Sequence, residues 1–528
     1  MAALRNQKCG EAFPWLFKLA MVLWASQMAA PVWADEAPTT NAAPLPKHAV
    51  ARLGSTRGGS PLLGVYGLVF SPDGRRLATR SADQIVRVWD IAGGRELAQI
   101  DGHKDRVLGM SFSPDGSLLA TSSEGDDPAI RCWDPATGKL VQEIAGGARL
   151  ISFAADGKSI LAVDRAMLNS YPLAGEKQLV RRLGLGTALA LSSDGGLVAV
   201  ADSASRTRIK LYRASAPPSL QSLRGHLSPP ISGAFSPNAT WFAMCADRGQ
   251  EVHLWNLQTA AAHFTLAGHA APVQAVTFSP DSRHLATASW DKTVRIWEVA
   301  TRQQVAVLEG HQDQVCAVAF SADGRQLASG AAGAGDTTTI VWNVAAALFT
   351  PQEKLDTLQP AEQTKLLEQL SAENPTLAYA AVGSMIAAPK VALALVAKRI
   401  QGEQANAGEA EIRRLLRQLD HDEFRIREEA HRRLLELRTE ADALLREALV
   451  NSPSAEVRHR VEKILKQPTG NISKLTDAQR RWLSRAVLAL EQIGTPEAQQ
   501  QLKLIAAGPA QEQHVQDAIG ALKRLGKS

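Results

Sequence analysis

A short element, aromatic-or-Leu, Ser, Pro/Ala, Asp, Gly in exact or varied form, recurs seven times along this chain of 528 residues, and no other feature constrains its folding as strongly. It begins at Phe70 (FSPDG), Phe112 (FSPDG), Phe153 (FAADG), Leu191 (LSSDG), Phe235 (FSPNA), Phe278 (FSPDS) and Phe320 (FSADG), at intervals of 38 to 44 residues. Each copy is followed 18 to 22 residues later by an aromatic closing a β-rich run: Trp89, Trp133, Tyr171, Tyr212, Trp255, Trp297 and Trp342. A period of this length marks an array of supersecondary units, none of which can bury its own faces alone. Within a copy, alternating apolar and polar residues predict strands of about five residues, and the Ser-Pro-Asp-Gly element supplies the tight turn between the first two. A fourth strand follows the aromatic, as at 95–100 (RELAQI) and 304–308 (QVAVL). Four-stranded antiparallel blades must stack on their neighbours, and closing the row into a ring removes its exposed ends.

The ring's closure is also legible. Residues 48–53 (HAVARL) look like the fourth strand of the other copies, whereas the seventh copy runs out after Trp342, so the N-terminal strand is expected to complete the last blade. These residues resemble the WD40 β-propeller family over about residues 48–346. The best copy carries the family's Gly268-His269 dipeptide, and His269, Ser289, Asp291 and Trp297 match its internal hydrogen-bonded tetrad. Gly-His recurs at Gly102-His103, Gly225-His226 and Gly310-His311 and is missing from the first, third and fourth copies. Copies three and four, with Tyr171 and Tyr212 in place of tryptophan, are therefore expected to be the loosest blades. The resemblance implies that the Gly-His histidines are structural and not metal ligands, and that no cofactor is required. It also implies that partners dock on the narrow face, where the residue before the tetrad aspartate, Trp290, points outward. The same match nominates Arg106 and Leu108, Pro272 and Gln274, and Gln314 and Cys316.

From Thr350 the apolar period changes from two to about three and a half. Ile412, Leu415, Leu416 and Leu419 share one helical face, and Val457, Val461, Ile464 and Leu465 another. Start and stop signals agree: Ser452-Pro453 and Thr495-Pro496, a capping box from Thr476 to Gln479, and Gly494 and Gly508 at helix ends. About eight helices are expected, in groups at roughly 353–400, 409–466 and 476–525, joined by 401–408 and 467–473. The middle group resembles HEAT-type α-hairpins. The fold class expected overall is an all-β seven-bladed WD40 propeller followed by an all-α, HEAT-like region over 351–528.

Arg5, Lys8 and Lys18 precede an apolar run from Leu19 to Ala30, and Val32-Trp33-Ala34 ends on a small residue. That pattern predicts a signal peptide over 1–34, cut after Ala34, and a Pro- and Ala-rich linker over 35–47. The uncleaved alternative is a membrane anchor, against which stands an apolar run shorter than the roughly 20 residues a span needs. No other stretch approaches that length, so the mature chain is expected in the periplasm or secreted. The combination of export signal, propeller and helical tail is similar to that of secreted bacterial multi-domain proteins. The 58 basic and 53 acidic residues are spread without a basic pole, so nucleic acid is not the expected partner. Cys9 falls in the cleaved segment, while Cys132, Cys245 and Cys316 sit in separate repeats as buried small hydrophobes and form no disulfide framework.

No nucleophile elbow, metalloprotease helix or phosphate loop is present in the sequence. The Asp of each Ser-Pro-Asp-Gly turn offers too few oxygens for calcium and is read as a turn cap. The reading is a non-catalytic protein-interaction scaffold that binds partners on the propeller face and the helical tail. The alternatives are a propeller hydrolase with a site at the central channel and a structural component of an envelope assembly.

Overall fold

A computed structural model describes residues 44–526 apart from 55–62, 165–166, 176, 184–185, 193, 206–207, 215, 227, 259–262, 352–353, 406–407, 437–440, 452–453, 467–474 and 509–511. The signal peptide expected over 1–34, most of the linker and the Ser452-Pro453 start lie outside the described residues.

Seven four-stranded antiparallel sheets form seven blades. Their inner strands are Val65–Phe70, Val107–Phe112, Leu150–Phe153, Gly186–Leu191, Pro230–Phe235, Val273–Phe278 and Val315–Phe320, numbered here as blades 1 to 7. Each inner strand lies beside the next, and the seventh lies beside the first, so the ring closes. Closure is achieved by the strand Ala49–Leu53, which pairs with Thr339–Asn343 at the outer edge of blade 7, Ala51 opposite Val341 and Leu53 opposite Thr339. Neighbouring blades bury their faces against one another: Ala78, Val86 and Val88 of blade 1 share a core with Phe112, Leu119 and Trp133 of blade 2. The turn aspartates act as caps. Asp73 accepts the Ser71 hydroxyl and the Arg75 N–H (3.0 Å), and Asn238 accepts the Thr240 N–H (3.1 Å) at the equivalent place in blade 5.

Eleven α-helices follow among the described residues: α1 (Val344–Leu348), α2 (Pro360–Glu368), α3 (Pro375–Ala387), α4 (Pro389–Ala405), α5 (Gly408–Gln418), α6 (Phe424–Glu436), α7 (Asp442–Asn451), α8 (Ala455–Lys466), α9 (Asp477–Ile493), α10 (Pro496–Ala506) and α11 (Gln513–Leu525). The expectation of about eight is thus corrected upward, because short helices such as α1 are below the length at which periodicity is readable. The joint expected at 401–408 is largely helical, as the last turn of α4. The capping box at Thr476 and the Thr495 cap form as expected, and Gly494 ends α9 in the left-handed region at φ 67°.

The three helix groups do not run in simple series. Helices α9 to α11 return to pack on α3 and α4, while α5 to α8 form an inserted pair of hairpins with a separate core of Ile412, Leu415, Leu434, Leu445, Val461 and Ile464. The returning group also seats the helices on blades 6 and 7. One apolar cluster runs from Leu308, Val315 and Trp342 through Leu348 and Phe349 to Tyr379, Met385, Trp482 and Leu488. A polar seam lies within it. Arg485 of α9 donates to both carboxylate oxygens of Glu298 in blade 6 (3.0 and 2.7 Å) and to the carbonyls of Leu370 (2.8 Å) and Ala372 (2.6 Å). Beside it His284 Nε2 meets the Tyr379 hydroxyl at 2.6 Å.

Candidate partner-binding face

Helices cover the end of blade 6 that carries its Ser279–Ser282 turn. In an antiparallel blade the next turn, Trp290 to Lys292, emerges at the opposite end, and that face is where the sequence placed its candidate residues. A recurrent irregularity aims their side chains. The inner strand of blade 1 carries a bulge between Val65 and Gly67, and blades 2, 5, 6 and 7 repeat it at the same step. The extra residue is Tyr66, Leu108, Ile231, Gln274 and Cys316 respectively; a bulge re-aims the side chain it carries and locally ends pairing. Leu108, Gln274 and Cys316 are thus brought to equivalent points around the channel mouth. The residues two positions earlier follow suit: Arg106 is exposed, and Pro272 and Gln314 are half-buried. The Pro272 carbonyl accepts the Trp290 N–H (2.9 Å), and the Gln314 carbonyl accepts that of Ala332 (2.9 Å), which ties each of these positions to the following turn.

Trp290 is 37% exposed. Its side chain lies within reach of the Cys316 thiol in blade 7. Cys316 is half-buried and not fully buried, which corrects the expectation for that cysteine, whereas Cys132 and Cys245 are buried as expected. Burial pushes the thiols of Cys132 and Cys316 up to about 11, so neither is a thiolate at neutral pH.

The tetrad is corrected at one position. His269 Nδ1–H donates to Asp291 (2.8 Å), the Thr287 hydroxyl donates to His269 Nε2 (2.7 Å), and the Trp297 indole N–H donates to the same hydroxyl oxygen (3.0 Å). The link between histidine and indole is therefore Thr287 and not Ser289. Strand alternation explains the shift: residues 287 and 289 face the same side of the sheet, and only the one deeper in the blade lies opposite the indole. Ser289 instead donates to the Ala271 carbonyl (2.9 Å) and accepts the Asp291 N–H (3.1 Å), bracing the turn under Trp290. Burial lowers the His269 pKa, which keeps the ring neutral. Against the opposing effect of burial, the Thr293 hydroxyl and His269 hold Asp291 down at about 2. Blade 7 repeats the arrangement with His311, Ser329, Asp336 and Trp342, and blade 2 with His103, Thr121 and Trp133. Blade 5 keeps His226 but has Met244 at the hydroxyl position, and its Trp255 donates to the Arg224 carbonyl (3.0 Å). Each Gly-His histidine lies within its own blade, and among the described residues no group of three or more His, Cys, Asp or Glu is placed to hold a metal ion.

Three residues at this face escaped sequence reasoning: Tyr66, Arg80 and Arg149. Tyr66, 40% exposed, is the bulged residue of blade 1, and Arg149 precedes the inner strand of blade 3 at the corresponding place. Aligning the copies strand by strand, beyond the best-matching one, would have exposed both.

Comparison with known proteins agrees with this architecture. The family model described as "WD domain, G-beta repeat" matches residues 55–90, 94–134, 217–256, 262–298 and 302–343. The unmatched stretch between the second and third segments holds blades 3 and 4, which lack the tetrad. The chain is 26% identical over 243 residues to the WD repeat-containing protein 26 homolog of Arabidopsis thaliana, covering 44% of this chain and 40% of that protein. It is 26% identical over 231 residues to the Transcriptional corepressor LEUNIG_HOMOLOG of the same plant, covering 43% and 28%. It is 25% identical over 237 residues to its THO complex subunit 3, covering 43% and 74%. The chain thus spans well under half the length of the first two. With seven blades, the tetrad in its strongest copies and the repeat model matched in five segments, the propeller of this chain is similar to those of the WD40 repeat family.

Proposed function

We propose that this protein is a non-catalytic protein-interaction scaffold of the extracytoplasmic compartment, whose principal docking surface is the propeller face around Trp290. The observation that carries the reading is Trp290 itself, a large aromatic 37% exposed on a rigid turn braced by Ser289 and Asp291. Rigid aromatic anchors of this kind concentrate the energy of protein interfaces. Two relatives bear names that place them in assemblies, a transcriptional corepressor and a subunit of the THO complex, which supports protein binding as the use of the shared propeller. The compartment rests on residues 1–34 alone. The charge pattern and apolar run there support export, and no single described helix is long and apolar enough to cross a membrane.

The test is affinity capture from the native envelope fraction with the full chain and with Trp290→Ala. A stoichiometric partner should be captured by the parent, and the substitution should weaken it by about 2 kcal/mol or more while leaving thermal melting unchanged. Equal capture by both chains removes Trp290 from the docking surface. A lowered melting point would instead assign the side chain to packing.

A further inference from the structure

The second strand of every blade has one position directly opposite the third residue of its inner strand or its equivalent, close to the channel. In six blades that position holds Ser122, Val163, Ala201, Cys245, Ala288 or Gly330. Blade 1 places Arg80 there, opposite Gly67. The glycine is what admits it: a Cβ at Gly67 would collide with the Arg80 side chain. The guanidinium crosses toward blade 2, where its Nη1 donates to the Val107 carbonyl at 3.2 Å. Arg149, just before the inner strand of blade 3, lies within electrostatic reach of it, and Arg106, next in sequence to Val107 on blade 2, lies within electrostatic reach of Tyr66. Both Arg106 and Arg149 are exposed. None of the three arginines forms an ion pair with a carboxylate among the described residues. Asp105, next in sequence to Arg106, turns its carboxylate to the N–H of that residue (2.6 Å).

Guanidinium groups gathered without counter-charges repel one another and are costly to desolvate, so an arrangement of this kind stabilises only what arrives with negative charge. Burial and the neighbouring Arg149 depress Arg80 to about 10, which leaves it a full cation at neutral pH. We propose that the channel mouth over blades 1 to 3 recognises an acidic segment of the protein partner, its carboxylate or phosphate groups held by Arg80, Arg106 and Arg149 while Trp290 anchors the rest. Arginine suits this role because its planar fork meets such oxygens in pairs. A peptide is favoured over nucleic acid because the cations are confined to one end of three blades and do not form a stripe that would track a phosphate backbone.

This inference rests on the docking reading above, and its test separates the two. Fluorescence anisotropy of a fluorescein-labelled octaglutamate peptide is measured with the full chain, alongside a peptide of equal length alternating phosphoserine and glutamate. Saturable binding that weakens with added salt is expected, stronger for whichever acid the site prefers. Arg149→Glu and Arg80→Met should each reduce affinity at least tenfold, and Arg75→Glu, at the other end of blade 1, should not. Arg149 is exposed, so its substitution leaves folding intact and keeps the test decisive if Arg80→Met destabilises the blade. No binding by either peptide, or equal effects of Arg149→Glu and Arg75→Glu, overturns the proposal. Tighter binding of oligouridylate, lost in the same variants, overturns the peptide assignment. If both peptides fail while Trp290→Ala still abolishes partner capture, only this inference falls; if capture survives Trp290→Ala, the docking reading falls with it.

Discussion

Arg485→Met should uncouple the helices from the propeller. Arg485 is 2% exposed and satisfies four acceptors at once: both oxygens of Glu298 and the carbonyls of Leu370 and Ala372. Methionine retains much of the aliphatic stem but leaves Glu298 buried with only the Thr301 hydroxyl (2.6 Å) as a side-chain partner. Removing one member of a buried ion pair costs about 3–5 kcal/mol, most of it the uncompensated charge left behind. Replacing both residues by methionine removes that charge as well, so the double variant should recover a large part of the loss, with a coupling energy above about 2 kcal/mol. Urea unfolding followed by circular dichroism should show one transition for the parent and two for Arg485→Met, the helices melting first. The acid limb adds a second reading. Burial acts to raise the Glu298 pKa, but the Arg485 guanidinium outweighs it and the net shift is downward from 4.5. A depressed carboxylate stabilises fully above its unfolded value, and this contribution is lost as pH falls through the lower folded value. Helix release should therefore begin below about pH 4.5 in the parent and lose that acid dependence in Glu298→Gln. A midpoint for Arg485→Met equal to the parent's, or a double variant whose loss is the sum of the single losses, would refute the reasoning.

Deleting residues 48–53 leaves blade 7 a strand short and exposes the edge of Thr339–Asn343, so size-exclusion chromatography should show aggregation; a monomer with parental melting would count against the closure. Thr287→Val removes the hydroxyl shared by His269 and Trp297 and should destabilise by about 2–3 kcal/mol in chemical denaturation, with His269→Ala costing about 1–3 kcal/mol. Amide hydrogen exchange should be fastest in blades 3 and 4, since blade 3 buries the Asn169 amide and the Tyr171 hydroxyl without protein partners and has Ala162 where Thr287 stands in blade 6. Intact mass of the native protein should show loss of residues 1–34, and a chain still carrying them would reject export with cleavage at Ala34.

The propeller was legible because its determinants are local and repeated. A turn residue such as Asp73 acts on the chain two positions away, and seven copies average out the exceptions. Even the long-range pairing of Ala49–Leu53 with Thr339–Asn343 could be read, since one copy lacked the strand that the other end of the chain supplied. Errors arose where a decision depends on a single ångström-scale choice. Thr287 and Ser289 are both hydroxyls facing one side of a strand, and which of them meets the indole is a matter of depth within the blade. Arg80 was missed for a different reason: it occupies a position that the motif leaves free, and its meaning emerges only from the contrast with six uncharged residues at the same register. The seat of the helices on blades 6 and 7 was invisible altogether. Arg485 and Glu298 are 187 positions apart, and neither belongs to a repeat signature.

That seat changes how two surfaces on one chain would act. A propeller and a helical tail joined by a flexible linker would engage two sites on a partner with an effective concentration set by linker length. Here no linker intervenes: the last propeller strand ends at Asn343, and Asn343 itself caps α1 by accepting the Ala346 N–H (2.9 Å). Helices α3 and α9 are then held on the propeller by Tyr379 against His284 and by Arg485 against Glu298. The face around Trp290 and the helices seated on blade 6 therefore stand at opposite ends of one packed unit, and a partner reaching both must match a fixed separation. The gain in affinity is greatest when the match is correct and absent when it is not, which makes the geometry a source of selectivity. The inserted hairpins α5 to α8, with their own core and few contacts to α4, are the part of the tail whose position is least constrained by this seam. Adaptation to different partners is thus expected there, with recognition of a constant feature reserved for the propeller face.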